Sequence, residues 1–443
     1  MFTLADIVES TESEILSKGE ETFVSASIDT RTIGKGDIFF PLKGTRRDGH
    51  DFVKEALTIA SGAVISKELN IDFSGKTVIK VKDTLLALQS LAKLLRGRFS
   101  GKVIAVIGSN GKTTTKELLS TFLSKKYRVL KTEGNLNNAI GVPLCVSKIK
   151  KDTEIMILEL GTNRKGDIKE LCDIVFPNWA IITNIGYEHI EGFGSLEGVR
   201  EGELEILPYV STVIVNGDDK FLMEGLKGWK GRVITFGCGR DCDFRAENIE
   251  FSDDGVTFSV NSKNARFNVR SPLVGMHNVY NSMAALAAAL NLDVSPEEIR
   301  QSLESFTPVK MRGEILRIRD AEILFDAYNA NPSSMRAAIS ELARRKKNRV
   351  AVAVLGDMLE LGPYSENAHE ELGKLLKELG IECFIGVGKF IKNALRYVSG
   401  PVFDDACQAG EFLKKNLKGN EVVLIKGSRS MKMEKIIDIL GEG

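Results

Sequence analysis

Val103-Ile-Ala-Val-Ile-Gly108-Ser109-Asn110-Gly111-Lys112-Thr113-Thr114-Thr-Lys-Glu117 is the stretch on which the fold turns. Its apolar, mostly β-branched opening predicts a buried strand. A glycine-containing turn follows, then a helix beginning near Lys112 and running through Leu118, Leu119 and Phe122. Strand, glycine loop, Lys-Thr and helix together make a phosphate cradle. Loop N–H groups and the positive helix end face the anion, Lys112 reaches the β- and γ-phosphates, and the Thr113 hydroxyl can bind Mg²⁺. The spacing departs from G-x-x-x-x-G-K-[ST], because Val106 stands where the first Gly would be. An ordinary strand-to-helix turn carrying a surface Lys is the alternative. The strand, both glycines, Lys and Thr all sit where the cradle needs them, so a nucleotide-phosphate site is expected, formed by Gly108 to Thr114.

At 443 residues the chain has material for two to four domains. Lys+Arg and Asp+Glu are both 60, so no global basic field points to nucleic acid. The six cysteines are scattered, and Cys238 and Cys242, the nearest pair, have no matching pair downstream; free thiols in a reducing cytoplasm are expected rather than zinc. Acidic Asp6 and Glu9 near the start argue against a signal peptide. No apolar run approaches the roughly 18 residues of a membrane span. A cytoplasmic protein acting as a monomer is expected.

Upstream of the cradle, residues 1–97 alternate short strands and helices. Phe23–Ile28, Asp37–Leu42, Ala63–Ile65 and Thr77–Val81 read as strands, Asp51–Ala60 as a helix. Polar loops lie between them, Asp29-Thr30-Arg31 and Gly44-Thr-Arg46-Arg47-Asp48-Gly-His50. The second loop is either a solvated turn or an anion-binding loop, since guanidinium forks suit phosphates. A helix from Thr84 to Arg96 leads to Gly97 and Gly101, read as a hinge.

Residues 98–308 read as a strand–helix series and predict a mostly parallel sheet with ligands at the strand carboxyl ends. Asn135-Leu-Asn137-Asn138 enters a helix. Glu154–Gly161 is an apolar strand ending in Glu159, and Trp179–Ile185 is another, followed by Gly186-Tyr-Glu-His189. Between 240 and 272, alternating Phe and Val residues suggest a small antiparallel accessory sheet beside a P-loop ATPase-like parallel sheet. Asn278 to Leu290 is an Ala-rich helix with His277 at its start. Residues 309–443 repeat the alternation and predict a doubly wound, Rossmann-like domain, although Gly386-x-Gly388 lacks the rest of a dinucleotide fingerprint.

Glu159, at a strand end beyond a phosphate loop, is placed to hold Mg²⁺ directly or through water. His189 alone would as readily be structural; closing another strand of the same sheet, it suggests a second metal ion. Mg²⁺ prefers oxygen, so a further carboxylate should stand near, with Glu201, Glu203 and Glu205 as candidates.

Gly108-x-x-Gly-Lys-Thr, Glu159, His189, Asn278-x-x-Asn281, Arg312 and Asp326 occur in the order and context of the Mur ligases, the ATP-dependent amide-bond formers of bacterial cell-wall synthesis. The resemblance spans the chain. Asn135–Pro143, Glu159–Asn163, His189–Ser195, Asp326–Pro332, Gly356–Gly362 and Lys426–Arg429 resemble the branch that adds D-alanyl-D-alanine to a UDP-muramoyl tripeptide. The resemblance implies three α/β domains: a UDP-sugar-binding domain (1–97), a central ATP-binding domain (98–308) and a C-terminal domain (309–443) contacting nucleotide and dipeptide. It also implies ATP and two Mg²⁺ ions as cofactors. Lys112, Glu159, His189 and Glu203 would carry the chemistry, with Thr113 and Glu159 on one metal and His189, sharing Glu159, on the other. Asn278 and Asn281 would sit near the adenine, with Arg312 and Asp326 on the nucleotide. Asp29, Thr30, Arg31, Gly44, Asp48 and His50 would meet the UDP-sugar, and Asn137 and Asn138 another part of the substrate. Tyr328, Asn329, Asn331, Lys426, Ser428 and Arg429 would lie toward the dipeptide.

In the family pattern a lysine follows the metal-site His by about fourteen residues and is carbamoylated by CO₂; here that position is Glu203. Glu203 is therefore expected to supply an encoded carboxylate, or else to be a solvated helix residue. Competing readings are a Mur ligase adding the third amino acid, a folylpolyglutamate synthase, and a P-loop switch ATPase. The first lacks an Asp-Asn-Pro-Arg stretch here, and the second does not account for a hundred residues before the phosphate loop.

Overall fold

The computed structural model describes residues 1–441 and is mixed α/β, with three large sheets on successive stretches of chain. The first has five strands in the order Ser13–Ser17, Thr77–Val81, Gly62–Ile65, Ile38–Phe39, Ala26–Ser27. The expected strand Phe23–Ile28 is split: Thr22–Phe23 pairs antiparallel with Phe2–Thr3, whereas Ala26–Ser27 pairs parallel with Ile38–Phe39. The expected helix over 51–60 shortens to a 3-10 turn and one α-turn, Val53–Ala56, because the chain must re-enter the sheet at Gly62.

The hinge expected at Gly97 and Gly101 is absent. The helix Thr84–Arg98 runs through Gly97, and a Cβ on Gly101 would lie 2.2 Å from the Glu154 carbonyl. One end of this helix packs Leu88 and Leu91 into the core of the first sheet, and Ala92 packs into that of the second. Arg96 donates to the carbonyls of Val175 at 2.6 Å and Phe176 at 2.8 Å, capping a neighbouring helix end.

The central sheet has nine strands. Lys102–Ile107 lies between Ile155–Glu159 and Trp179–Ile182, all parallel, with Thr212–Asn216 and Arg232–Gly237 continuing outward. The antiparallel strands Phe244–Ser252, Gly255–Ser262 and Arg266–Ser271 are not a separate sheet. Phe236 and Gly237 pair parallel with Phe244 and Arg245, and the antiparallel strands follow in the same sheet, with one register shift between Glu247 and Glu250. The helices Lys112–Leu123 and Met276–Leu290 cover one face, where Leu119, Phe122, Val279 and Met283 are fully buried. The Ala run in the second helix lets the two approach closely.

The third sheet has six strands: Glu314–Ile318 antiparallel at one edge, then Ala321–Phe325, Glu421–Lys426, Val350–Gly356, Cys383–Val387 and Val402–Phe403 in parallel. Separate apolar clusters pack on its two faces, as a doubly wound arrangement requires. No helix among the described residues is long and apolar enough to cross a membrane.

Candidate active site

The loop after Lys102–Ile107 is shaped by its two glycines. Gly108 has φ 109° and Gly111 φ 84°; a Cβ would fall 2.4 Å from Thr183 Oγ1 at the first and 2.0 Å from Asn281 Oδ1 at the second. The helix Lys112–Leu123 starts directly behind. Ser109 N–H donates to the Asn184 carbonyl at 2.9 Å, and Gly186 N–H donates to Ser109 Oγ at 2.8 Å, lashing the loop to the end of the neighbouring strand.

Lys112 folds back over this loop, with Nζ 2.5 Å from the Gly108 carbonyl and 3.4 Å from Glu188 Oε1. Burial disfavours its ammonium, but the facing carboxylates of Glu188, Glu203 and Glu159 outweigh that and raise its affinity for the proton. For the two nearest acids burial wins. Desolvation pushes Glu188 up to about 8 and Glu203 up to about 7, against the pull of Lys112. This is a basic cradle backed by acids that burial keeps partly protonated, ready for an anion or a cation to complete it.

Glu159 ends its strand at the same place. Asn137 Nδ2 donates to Oε1 at 2.9 Å, whereas Oε2 is buried with no hydrogen-bond partner, the nearest charge being Lys116 Nζ at 3.6 Å. A buried carboxylate oxygen without a hydrogen bond and the Thr113 hydroxyl, which lines the same cavity, are the kind of oxygen donors a hard cation needs. No group of three or more His, Cys, Asp or Glu among the described residues closes around a metal unaided. That suits Mg²⁺, which takes one or two carboxylates and fills its octahedron with water and phosphate oxygens.

These residues form one wall of a cavity of about 580 Å³ whose other wall comes from the third sheet. Ser109 through Thr114, Asn137, Asn138, Glu159 and His189 line it from the central side, with Asn278 and Asn281 at one end. Arg312, Asp326, Tyr328, Asn329, Asn331 and Lys426 face them. The Arg312 guanidinium lies 3.9 Å over the Tyr328 ring. Asp326 and buried Lys426 are an ion pair at 2.6 Å, and Lys426 also donates to the Asn329 carbonyl at 2.9 Å. Expected at the nucleotide and the dipeptide respectively, the two are one unit.

Several expected residues have other duties. Asn331 caps the helix Pro332–Lys346, accepting Ser334 N–H at 2.9 Å, and reaches Asn110 Oδ1 at 2.8 Å, so it joins the walls as well as lining the cavity. Asn138 Oδ1 accepts the N–H groups of Ile140 at 3.1 Å and Gly141 at 2.9 Å, holding the turn that enters the helix Gly141–Val146. Asn278 and Asn281 bond to each other at 2.9 Å. Ser428 and Arg429 do not line the cavity: Ser428 Oγ accepts Leu359 N–H at 2.9 Å, and Arg429 pairs with Glu434 at 3.1 Å.

Glu203 is fully buried beneath the loop, accepting Gly108 N–H at 3.0 Å through Oε2 while Oε1 has no partner. It is neither solvated nor on the cavity surface. Glu201 instead pairs with Lys165, and Glu205 accepts Gly166 N–H at 2.7 Å. Glu188, passed over in the sequence, is the acid that lines the cavity beside His189.

The residues expected at a UDP-sugar lie apart from this cavity, on the first sheet. Asp48 accepts His50 Nδ1 at 2.7 Å and Lys67 Nζ at 2.9 Å, and His50 Nε2 accepts Ser66 N–H at 3.0 Å, so both bind the turn to the sheet. Gly44 N–H donates to the Arg47 carbonyl at 2.9 Å in a tight turn. Asp29, held down to about 2 by Arg31, forks that guanidinium, which is otherwise exposed beside Thr30.

Besides Glu188, sequence reasoning missed Lys116. It sits one turn after Lys112, fully buried, with Nζ 2.8 Å from the Thr132 carbonyl and an ion pair to Glu159. The i, i+4 spacing on one helix face was the available signal.

Three domain families match the chain: Mur ligase family, catalytic domain over residues 22–96, Mur ligase middle domain over 106–289, and Mur ligase, glutamate ligase domain over 311–429. The UDP-N-acetylmuramoyl-tripeptide–D-alanyl-D-alanine ligase of Bacillus subtilis is 36% identical over 436 residues, covering 96% of this chain and 94% of its own. That of Escherichia coli is 34% identical, covering 99% and 98%. Among solved structures, MurF from Acinetobacter baumannii matches with a TM-score of 0.89 at 33% identity, covering 100% of this chain and 99% of its own. MurF from Thermotoga maritima in complex with ADP matches at 0.81 and 30%, covering 94% and 96%.

Proposed function

The chain belongs to the Mur ligase family, and from that premise we propose that it joins D-alanyl-D-alanine to a UDP-N-acetylmuramoyl tripeptide with cleavage of ATP to ADP and phosphate. The observation that carries this reading is the single cavity in which Lys112 and the unpartnered Glu159 oxygen face Arg312 and the Asp326–Lys426 pair.

The chemistry follows from the groups present. A carboxylate is a poor electrophile at neutral pH. Its oxygen attacks the γ-phosphorus of ATP, ADP leaves, and the carboxyl becomes an acyl phosphate. The free amine of the dipeptide then attacks the acyl carbon, the tetrahedral intermediate collapses, inorganic phosphate departs and the nitrogen loses a proton. Two anions must meet in the first step, so Lys112 and the loop N–H groups hold the β- and γ-phosphates in line and offset their charge. Mg²⁺, two ions in this reading, supplies Lewis-acid neutralisation of the transferring phosphoryl group when bound. Thr113 and Glu159 would hold one ion and His189 the other, with Asn137 and Lys116 fixing Glu159. Asn278 and Asn281 form the adenine end. Arg31 and Thr30 on the first sheet receive the UDP-sugar, and Tyr328 and Asn329 border the dipeptide.

Glu203 takes the place of the carbamoylated lysine in the sequence but not at the cavity, where Glu188 is the carboxyl beside His189. Glu188 presents the carboxylate to the cavity, while Glu203 holds the loop from beneath. Both are encoded, so turnover is expected to be the same in CO₂-depleted buffer with and without added bicarbonate. The direct test measures phosphate release from Mg-ATP and UDP-muramoyl tripeptide, with and without D-alanyl-D-alanine. A UDP-muramoyl pentapeptide formed only with the dipeptide supports the reading. Phosphate release indifferent to the dipeptide would overturn it.

A further inference from the structure

The loop that follows the third-sheet strand Val350–Gly356 crosses to the central side and touches the segment that carries His189. The Glu360 carboxylate meets His189 Nδ1, and Glu191 N–H donates to the Glu360 carbonyl at 3.3 Å. The Tyr187 and Tyr364 rings, from the same two segments, meet at a tilt of 53° with centroids 5.8 Å apart. Both partners are strained: His189 has φ 48° and Glu360 φ 64°, a left-handed backbone that is costly for a residue other than glycine.

Stability does not account for this contact. The Glu360 side chain is 57% exposed, and an ion pair so open to water adds little to stability. Geometry does. A carboxylate can only accept, so the ring proton sits on Nδ1 and the lone pair on Nε2. His189 lines the cavity beside Thr113 and Glu159. A metal-binding imidazole is oriented in this way, by a carboxylate on its other nitrogen.

We propose that Glu360 is a positioning residue that completes the metal-binding histidine only when the third sheet closes on the central one. This inference rests on the ligase reading above. The same loop is anchored at its other end to the third domain. Leu359 N–H donates to Ser428 Oγ at 2.9 Å, Ser428 N–H to the Asp357 carbonyl at 3.1 Å, and Met358 N–H to buried His369 Nε2 at 2.9 Å. Glu360 is therefore held rigidly by the closing wall and delivered to His189 by closure. The imidazole is set for the cation when both walls are together, which couples assembly of the site to its closing over the substrates.

The test is Mn²⁺ binding, followed by electron paramagnetic resonance in the presence of β,γ-imido-ATP, on the wild type and on Glu360→Ala, Glu360→Gln and Tyr364→Ala. Imidazole ¹⁵N spectra of the metal-free protein accompany it; with four histidines in the chain they can be assigned. The wild type is expected to bind two ions. Glu360→Ala should weaken one of them about 10- to 100-fold, the usual effect of losing such a partner, and should abolish the preference of His189 for the Nδ1–H tautomer. Glu360→Gln still offers an acceptor oxygen and should restore most of both. Tyr364→Ala loosens the docking while leaving His189 and Glu360 in place, so it should weaken the same ion, by less than Glu360→Ala does. If Glu360→Ala keeps both affinities and the tautomer, the proposal is wrong. If Glu360→Gln loses the ion and the tautomer as fully as Glu360→Ala does, an acceptor oxygen at this position does not set the ring, and the proposal is again wrong. A wild type that binds a single Mn²⁺ would instead remove the two-ion reading, and the tautomer would still decide the role of Glu360.

Discussion

The two walls of the cavity are built on different principles. The central wall is backbone: a turn that only glycine can make at two places, lashed to the adjacent strand and backed by a helix start. The third-sheet wall is side chains: Arg312 on Tyr328, Asp326 with Lys426, and Asn331 and Glu360 reaching across. The first is rigid and pre-formed for a phosphate. The second meets it through a few polar contacts of small individual worth.

The contrast orders the effects of substitution. Lys112→Ala removes the one side-chain cation folded over the loop; kcat/KM is expected to fall by about 10³ or more, with circular dichroism unchanged. Gly111→Ala forces a Cβ at positive φ into Asn281. A fluorescence titration should show weaker binding of the ATP analogue by at least about tenfold, and unfolding should be easier by about 1–2 kcal/mol. On the opposite wall, Asn331→Ala loses a helix cap worth about 1 kcal/mol and the bridge to Asn110. It should raise KM for ATP several-fold while leaving kcat nearly intact; equal losses at the two walls would erase the distinction.

The smallest effect concerns pH. Burial raises the Glu203 carboxyl from 4.5 to about 7 in the folded chain, so the folded state holds its proton more tightly than the unfolded one does. The stability this adds is complete below pH 4.5 and is lost as pH rises through about 7. Glu203→Gln is neutral throughout. In metal- and nucleotide-free protein, its melting temperature relative to wild type should therefore climb between pH 5 and pH 8. A constant difference would mean that Glu203 is ionised at all these pH values.

The same contrast explains what could be read in the sequence. The cradle was legible because its strand, glycines, Lys112 and Thr113 are contiguous and their spacing is fixed by phosphate geometry. The strand cores of all three sheets announced themselves as short apolar runs. The antiparallel strands were read as an accessory sheet because their junction rests on one short parallel pairing, Phe236–Gly237 with Phe244–Arg245, which carries no compositional mark. Gly97 and Gly101 looked like a hinge, since nothing local shows that one lies inside a helix and the other against the Glu154 carbonyl. Asp48 and His50 were read as ligand residues, and a polar loop does not disclose that its groups also bond Lys67 and Ser66. Glu360 was beyond reach, as its meeting with His189 exists only in the folded, closed chain.

The central claim is that a substrate carboxylate attacks the γ-phosphate between these two walls. It is tested most directly with UDP-muramoyl tripeptide carrying ¹⁸O in its terminal carboxylate, incubated with Mg-ATP and D-alanyl-D-alanine, and mass analysis of the phosphate released. One ¹⁸O from the carboxylate in each phosphate is the expected result, because acyl phosphate formation leaves that oxygen on phosphorus. Phosphate without label, formed alongside the amide product, would contradict the account.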